Sequence, residues 1–365
     1  MMAQLHIFLP PFAADYSGAC TTLWDLDCLT VINDASCCTS HYVFYDEPRW
    51  ADKVKPVFCT TLRNVDAILG TDDKVIAQVC QVEQEINALL IALIGTPVPA
   101  LVGMDTVGMA CEVEARCGKP AFGFDTTGFS YYDKGIAMAG KALFKRFSRE
   151  VAPREVVPER VNILGMTPLD YGNVGNELAL ESALQNAGYE VECRAFMGLT
   201  IAQLREAGTA QLNLAVSAAG VVLAKNLERR FGTPWTARLP EGVMISEELI
   251  SSVNETIAGK RNALIVGDQI IANMLRAALH NAGFSGKIQV ASFFGWDTTL
   301  AEQGDAALKD EAAFLRLMHD NVFDALIADP LICDTPPAKN CACVKMVHPA
   351  VSSKLYWVNS PRYFQ

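Results

Sequence analysis

The feature that most constrains this chain is a repeated alternation of apolar strand, turn and amphipathic helix. Arg160–Leu164 reads as a strand, followed by Gly165, a polar loop through Asn173, and a helix from Gly175 to Ala187. Gly188 stands just past that helix, where glycine commonly stops one. Tyr189–Ala195 reads as the next strand, and Leu212–Ser217 with Ala219–Phe231 repeats strand and helix up to Gly232. Asn262–Val266 begins the unit again. Gly267-Asp268 opens a helix to Asn281, Gly283 stops it, and Lys287–Ser292 follows as a strand. Helix Glu311–Asp320 and strand Ala325–Ala328 close the series. Strands alternating with helices of about 10–15 residues predict an α/β fold with parallel sheets.

A chain of 365 residues exceeds one ordinary hydrophobic core, so several domains are expected. The proline- and charge-rich stretch around Pro153–Pro158, and Lys260, mark the boundaries. The predicted architecture is three Rossmann-like domains with parallel sheets, at 1–155, 156–259 and 260–348, with a tail at 349–365 packing back on them. Ligand sites in such sheets lie at the carboxyl ends of the strands. Gly172-Asn173-Val174-Gly175 is not a dinucleotide fingerprint, and the chain has no Walker A sequence. Any ATP hydrolysis therefore belongs to another subunit.

Net charge is −11. That argues against a nucleic-acid partner, which calls for a basic face, and against an anionic membrane surface. The longest apolar run, Ile86 to Met104, is broken by Gly95, Pro97, Pro99 and Gly103 and suits buried strand and loop rather than a membrane span. Residues 1–12 lack a basic leader and a cleavage site. The expected location is the cytoplasm.

Twelve cysteines are many for such a protein, and a core this large does not need disulfides. They fall in patches: Cys20, Cys28, Cys37, Cys38 and Cys59 early, then Cys333, Cys341 and Cys343 late, with His348 beyond. Patches of thiolate, with imidazole nearby, suit iron or zinc. Cys80, Cys111, Cys117 and Cys193 read as small buried hydrophobes. His6, His280 and His319 read as structural.

Several stretches together resemble nitrogenase component 1 proteins and their relatives, which include the catalytic subunits of dark-operative protochlorophyllide reductase and nickel-sirohydrochlorin reductase. Tyr16-Ser17-Gly18-Ala19-Cys20 followed by Asn33-Asp34-Ala35-Ser36-Cys37-Cys38-Thr39 resembles the segment bearing the family's two N-terminal cluster cysteines. Thr60–Lys74, Ala88–Asp105, Pro120–Gly128, Val161–Gly188 and Leu212–Trp235 resemble successive family segments in the same order, and His348-Pro349 stands near the family's closing segment. Two departures matter. The third cluster cysteine falls on Pro97, and the cysteine that anchors the iron–molybdenum cofactor falls in Ala215-Val216-Ser217, which has no sulfur. Dinitrogen reduction is therefore not expected.

The resemblance implies a 4Fe-4S cluster, which takes four ligands. Cys20 and Cys38 are the matched positions, with Cys37 and Cys59 as alternative ligands. Two ligands per chain predict a homodimer, or a heterodimer with a related subunit, sharing one cluster at a two-fold interface. A second metal or cluster is expected near Cys333, Cys341, Cys343 and His348. His41 and Arg49 are candidates to hydrogen-bond the cluster or a docking partner, Asp105 to support its loop, and Tyr131, Tyr132 and Asp133 to line a substrate cleft. The implied function is a reductase component that accepts electrons from an ATP-dependent iron protein. The rival reading is a scaffold or carrier for an assembling metal cofactor, or a non-catalytic partner subunit.

Overall fold

The computed structural model describes residues 7–152 and 155–365. It contains three sheets, and every strand pair in them is parallel. The first is built from β1 (Cys28–Ile32), β2 (Val57–Cys59), β3 (Leu90–Ile94) and β4 (Ala121–Phe124), in the order β2-β1-β3-β4. The second takes β5 (Val157–Leu164), β6 (Glu190–Ala195), β7 (Ala210–Ala215) and β8 (Trp235–Thr236), in the order β6-β5-β7-β8. The third takes β9 (Asn262–Val266), β10 (Lys287–Ser292), β11 (Ala306–Ala307), β12 (Ala325–Ala328) and β13 (Ala342–Lys345), in the order β11-β10-β9-β12-β13.

Central strands such as β3 (LIALI) are buried along their whole length, as expected of a parallel sheet covered on both faces. The turn residues set where helices begin. Asp268 caps helix Gln269–Asn281 by accepting from the backbone N–H of Ile270 at 2.8 Å, and Ser217 caps helix Ala218–Phe231 by accepting from Gly220. The strand expected at Leu212–Ser217 sits at Ala210–Ala215, because Val216 and Ser217 turn into the cap. The apolar run from Ile86 holds β3 and then a short helix, Pro97–Val102, with Pro97 where its missing N–H costs nothing. Among the described residues no helix is long and apolar enough to cross a membrane.

Two first-domain helices carry the assembly. Asp15–Leu23 is buried at every residue and packs along Tyr132–Phe147, which also packs on helix Ala218–Phe231 of the second sheet. Contact is close because Gly18 and Gly135 lie between them. A Cβ on Gly135 would fall 1.8 Å from the Asp15 carbonyl oxygen. The C-terminal residues run back across the molecule. Ala350 accepts from Ala13 N–H, and Tyr363 links Asn176 to Ser246 through its backbone.

Candidate cysteine site at the carboxyl ends of the first sheet

β1 runs directly into Asn33 and Asp34, both buried. One Asp34 carboxylate oxygen accepts from the backbone N–H of Ser36 at 2.9 Å and of Thr39 at 3.1 Å. These bonds hold Ser36 in the left-handed region (φ 101°) and start the short helix Cys37–His41. The turn leaves Cys37 exposed and Cys38 half-buried. Cys59 ends the neighbouring strand β2, and its thiol donates to the Asp34 carbonyl oxygen at 3.4 Å. Cys38 and Cys59 thus flank one residue. Burial, then the Asp34 carboxylate, pushes the Cys38 thiol up to about 11, while a hydrogen bond from Tyr16 works the other way. A bound metal reverses that preference, since a coordinating thiol is deprotonated.

Cys20 lies deeper. It is 2% exposed in helix Asp15–Leu23, and burial with the nearby Cys28, Glu47 and Asp46 holds its thiol well above the ordinary range. Arg49 faces inward rather than toward a docking partner. It bonds Glu47, Asp25, the Thr21 carbonyl and the Phe196 carbonyl, which are enough partners to fill its fork. His41 stands 3.4 Å from Asp46, which raises its pKa. Asp105 caps helix Thr106–Cys117 through Gly108 N–H.

The segments beyond the four strand ends, short helices among them, carry large exposed apolar side chains. Phe44 follows β1, Ile68 and Leu69 follow β2, Leu101 follows β3 and Phe129 follows β4. Ile68, Leu101 and Phe129 are 81%, 75% and 72% exposed. Clustering at one end of a sheet is the pattern of an interaction face rather than of scattered surface residues.

The junction of the three sheets is filled, not open. Tyr132 donates to Asp170 and stands 3.0 Å from His348 Nε2, and Phe294 packs edge-on against both rings. His348 N–H donates to Asp329, which also accepts from Ser352. Asp268 faces the same interior. Burial, then Asp170, pushes its carboxyl up to about 7, against the pull of the Ala218 N–H and of His348. Tyr132 is therefore a core residue and lines no cleft, while Asp133 is buried with one oxygen unpartnered.

The late cysteines and His348 are not together. Cys333, Cys341 and Cys343 cluster at the β12–β13 edge. Their thiols donate to the carbonyls of Ala328, Phe323 and Ala338, while His348 points into the Tyr132–Asp170 junction. Cys343 sits on β13, paired with Leu326. Among the described residues no group of three or more His, Cys, Asp or Glu side chains is arranged to hold a metal ion. Of the four cysteines read as buried, only Cys193 is; Cys80 and Cys117 are half-buried and Cys111 is exposed. His280 Nδ1–H donates to the Phe284 carbonyl, His319 is exposed, and His6 lies outside the described residues.

Sequence reasoning passed over Asp34, Asp170 and Asp268 as site residues. Asp268 was visible only as a helix opener and Asp170 only as part of a polar loop.

Three parallel sheets around a buried junction, with cysteines at the carboxyl ends of the first, define a nitrogenase-type α/β architecture. Residues 16–293 match the family of nitrogenase component 1 type oxidoreductases, and the chain belongs to it. Curated relatives include the nitrogenase iron-molybdenum cofactor biosynthesis protein NifE of Clostridium pasteurianum, 24% identical over 180 residues, covering 49% of this chain and 38% of that one. The NifE of Rhodobacter capsulatus is 25% identical over 182 residues, covering 49% and 37%. The chain thus spans well under half the length of these relatives. Among solved structures, one titled "Nitrogenase Cp1 at pH 6.5" superposes with a TM-score of 0.71 at 14% identity, covering all of this chain and 91% of that one.

Proposed function

We propose that this chain is a nitrogenase-like redox subunit that holds a 4Fe-4S cluster at the carboxyl ends of its first sheet. The observation that carries the reading is that Cys38 and Cys59 both adjoin Asp34, at the end of the sheet where the segments following the strands carry exposed apolar side chains. With Cys38 and Cys59 as the ligands and the exposed Cys37 left free, a second copy related by a two-fold axis completes four ligands. Cys20 is the rival partner of Cys38, but it must first be uncovered. When bound, the cluster supplies one-electron redox chemistry. The chain's own part is to fix the thiols through Asp34 and to exclude water with Phe44, Leu101, Phe129 and their neighbours. In this reading an ATP-dependent iron protein is the electron donor, and the substrate is not dinitrogen, because Ala215-Val216-Ser217 offers no sulfur where the family's cofactor is anchored.

A second reading, a scaffold for assembling a metal cofactor, is favoured by the NifE relatives, which are cofactor biosynthesis proteins. Side chains filling the three-sheet junction weigh against a large guest there. Anaerobic purification with iron and sulfide analysis and EPR tests the main reading. About two irons per chain and a dimer are expected for a shared cluster. Four irons per chain would overturn the sharing, and metal-free protein would overturn the cluster. Electron uptake from a reduced iron protein without transfer of metal to an acceptor separates reductase from scaffold.

A further inference from the structure

Cys80 and Cys117 place their sulfur atoms 3.2 Å apart. Cys80 lies in helix Asp72–Ile86 and Cys117 ends helix Thr106–Cys117. These two helices pack side by side on the face of the first sheet that carries Leu29, Val31, Ile91 and Leu93, away from the three-sheet junction. Both thiols are half-buried, so a small reagent reaches them without unfolding the layer. A disulfide bond is about 2.05 Å long, so bonding requires the two sulfurs to close by about 1 Å, a shift within side-chain rotation. Neither residue is needed by the cysteine site, and Cys117 lies shortly before the amino end of β4, whereas Cys59 ends β2 at its carboxyl end.

We propose that Cys80 and Cys117 are a reversible oxidation site that closes as an intrachain disulfide by exchange with a small-molecule disulfide. One of the two thiolates attacks a sulfur of the reagent, forming a mixed disulfide and releasing one small thiol. The second cysteine then attacks the protein sulfur of that mixed disulfide and releases the other small thiol. Two protein thiols are oxidised and one small disulfide is reduced to two thiols, so electrons and protons balance. The loop closed in this way contains β3 and the helix Pro97–Val102, so oxidation ties down the segment that presents Leu101. A cross-link over a loop this long restricts the unfolded chain and raises thermal stability.

The test uses the full chain, purified anaerobically and then equilibrated with oxidised glutathione. Remaining thiols are alkylated with iodoacetamide, and the digest is mapped by mass spectrometry. The expected result is a Cys80–Cys117 cross-linked peptide pair, two fewer alkylatable thiols, a higher melting temperature, and reversal by dithiothreitol. Cys111, exposed and unpaired on the same helix, is the internal control and forms no intrachain link. Cys80→Ser and Cys117→Ser should each leave the surviving cysteine carrying glutathione, which captures the intermediate. The proposal is overturned if, in folded wild-type protein, Cys80 and Cys117 are both alkylated or each carries its own glutathione. Iron content is a separate readout that oxidation of this pair should leave unchanged, so failure here and failure of the cluster reading are distinguishable.

Discussion

Arg49 grips both carboxylate oxygens of Glu47, Nε to Oε1 at 2.8 Å and Nη2 to Oε2 at 2.9 Å, with both side chains buried. The same guanidinium reaches the Phe196 carbonyl in the second sheet's domain and the Asp25 carboxylate, which in turn accepts from Gly198 N–H. This pair therefore fastens the first domain to the second. Removing one partner leaves an uncompensated buried charge, which typically costs about 3–5 kcal/mol. Arg49→Met alone should lower the unfolding free energy by that order, seen as a lower denaturant midpoint. Arg49→Met with Glu47→Leu should recover much of the loss, because the stranded charge is gone. Equal destabilisation of the single and double variants in urea unfolding would show that the charge is not the cause.

Gly135 makes a second prediction. Its Cα hydrogens face the Asp15 carbonyl, and a methyl group placed there would overlap it. The neighbour is backbone in a fully buried helix, so it cannot swing aside. Overpacking of this kind commonly costs about 1–3 kcal/mol, and more when backbone must move. Gly135→Ala should cut stability by at least that amount, whereas Gly283→Ala meets no atom within 4 Å and is strained only by its φ of +93°. Circular-dichroism melts of the two variants would separate packing from backbone effects.

The pH dependence follows from Asp268. Its carboxyl is pushed from an ordinary 3.8 up to about 7 by burial and by Asp170. A folded-state pKa above the unfolded value means that the contribution is fully present below about pH 4 and is lost as pH rises through about 7. Asp268→Asn removes the ionisation and keeps one acceptor oxygen for the Ile270 and Ile271 N–H groups; its amide nitrogen cannot accept from Ala218 N–H, a loss that is the same at every pH. The difference in melting temperature, variant minus wild type, should therefore rise between pH 5 and pH 8. A constant difference across that range would mean that Asp268 does not titrate there.

Much of this fold was legible before any coordinates because its signals are local and periodic. Asn262–Val266 and Ala325–Ala328 are largely apolar runs, Lys287–Ser292 alternates polar with apolar residues, and all three form strands at those bounds. β13 was not legible: Ala342–Lys345 is short, half-buried and marked by cysteines, so its side chains suggested chemistry rather than pairing. The junction was hidden for a different reason. Tyr132, Asp170, Asp268 and His348 come from four distant segments, and nothing in their spacing says that they meet. His348 looked like a partner of Cys341 and Cys343 because it is near them in sequence, yet the chain turns between them and sends the imidazole inward. The early cysteines show the same limit. Residue matching selected Cys20 and Cys38, while strand pairing brings Cys59 to Asp34.

The cysteines can be ranked by substitution. Cys38→Ser should abolish most bound iron and sulfide, and Cys59→Ser should do the same if the Asp34-flanking pair holds the cluster. Cys20→Ser should then leave iron content near wild type while lowering stability, because its sulfur is enclosed in the core. The opposite pattern, with iron lost from the Cys20 variant and retained in the Cys59 variant, would move the ligand assignment to the matched positions. A melt of each metal-free variant controls for misfolding.

The apolar face gives the last prediction, and it tests sharing rather than ligation. Leu101, in the short helix after β3, and Phe129, in the loop after β4, are exposed and contribute little to the core of their own chain. A carboxylate at either position should therefore leave the monomer's melting temperature nearly unchanged, since surface changes of this kind usually stay within about 0.5 kcal/mol. At a two-fold interface each substitution acts twice, because residue and symmetry mate both lie in the contact. Leu101→Asp with Phe129→Asp should then halve the mass seen by light scattering and, because each chain keeps only half of the ligands, should release iron in parallel. Monomerisation with iron fully retained would mean that each chain holds its own cluster. An unchanged dimer would place the interface elsewhere, with this face left for a different partner.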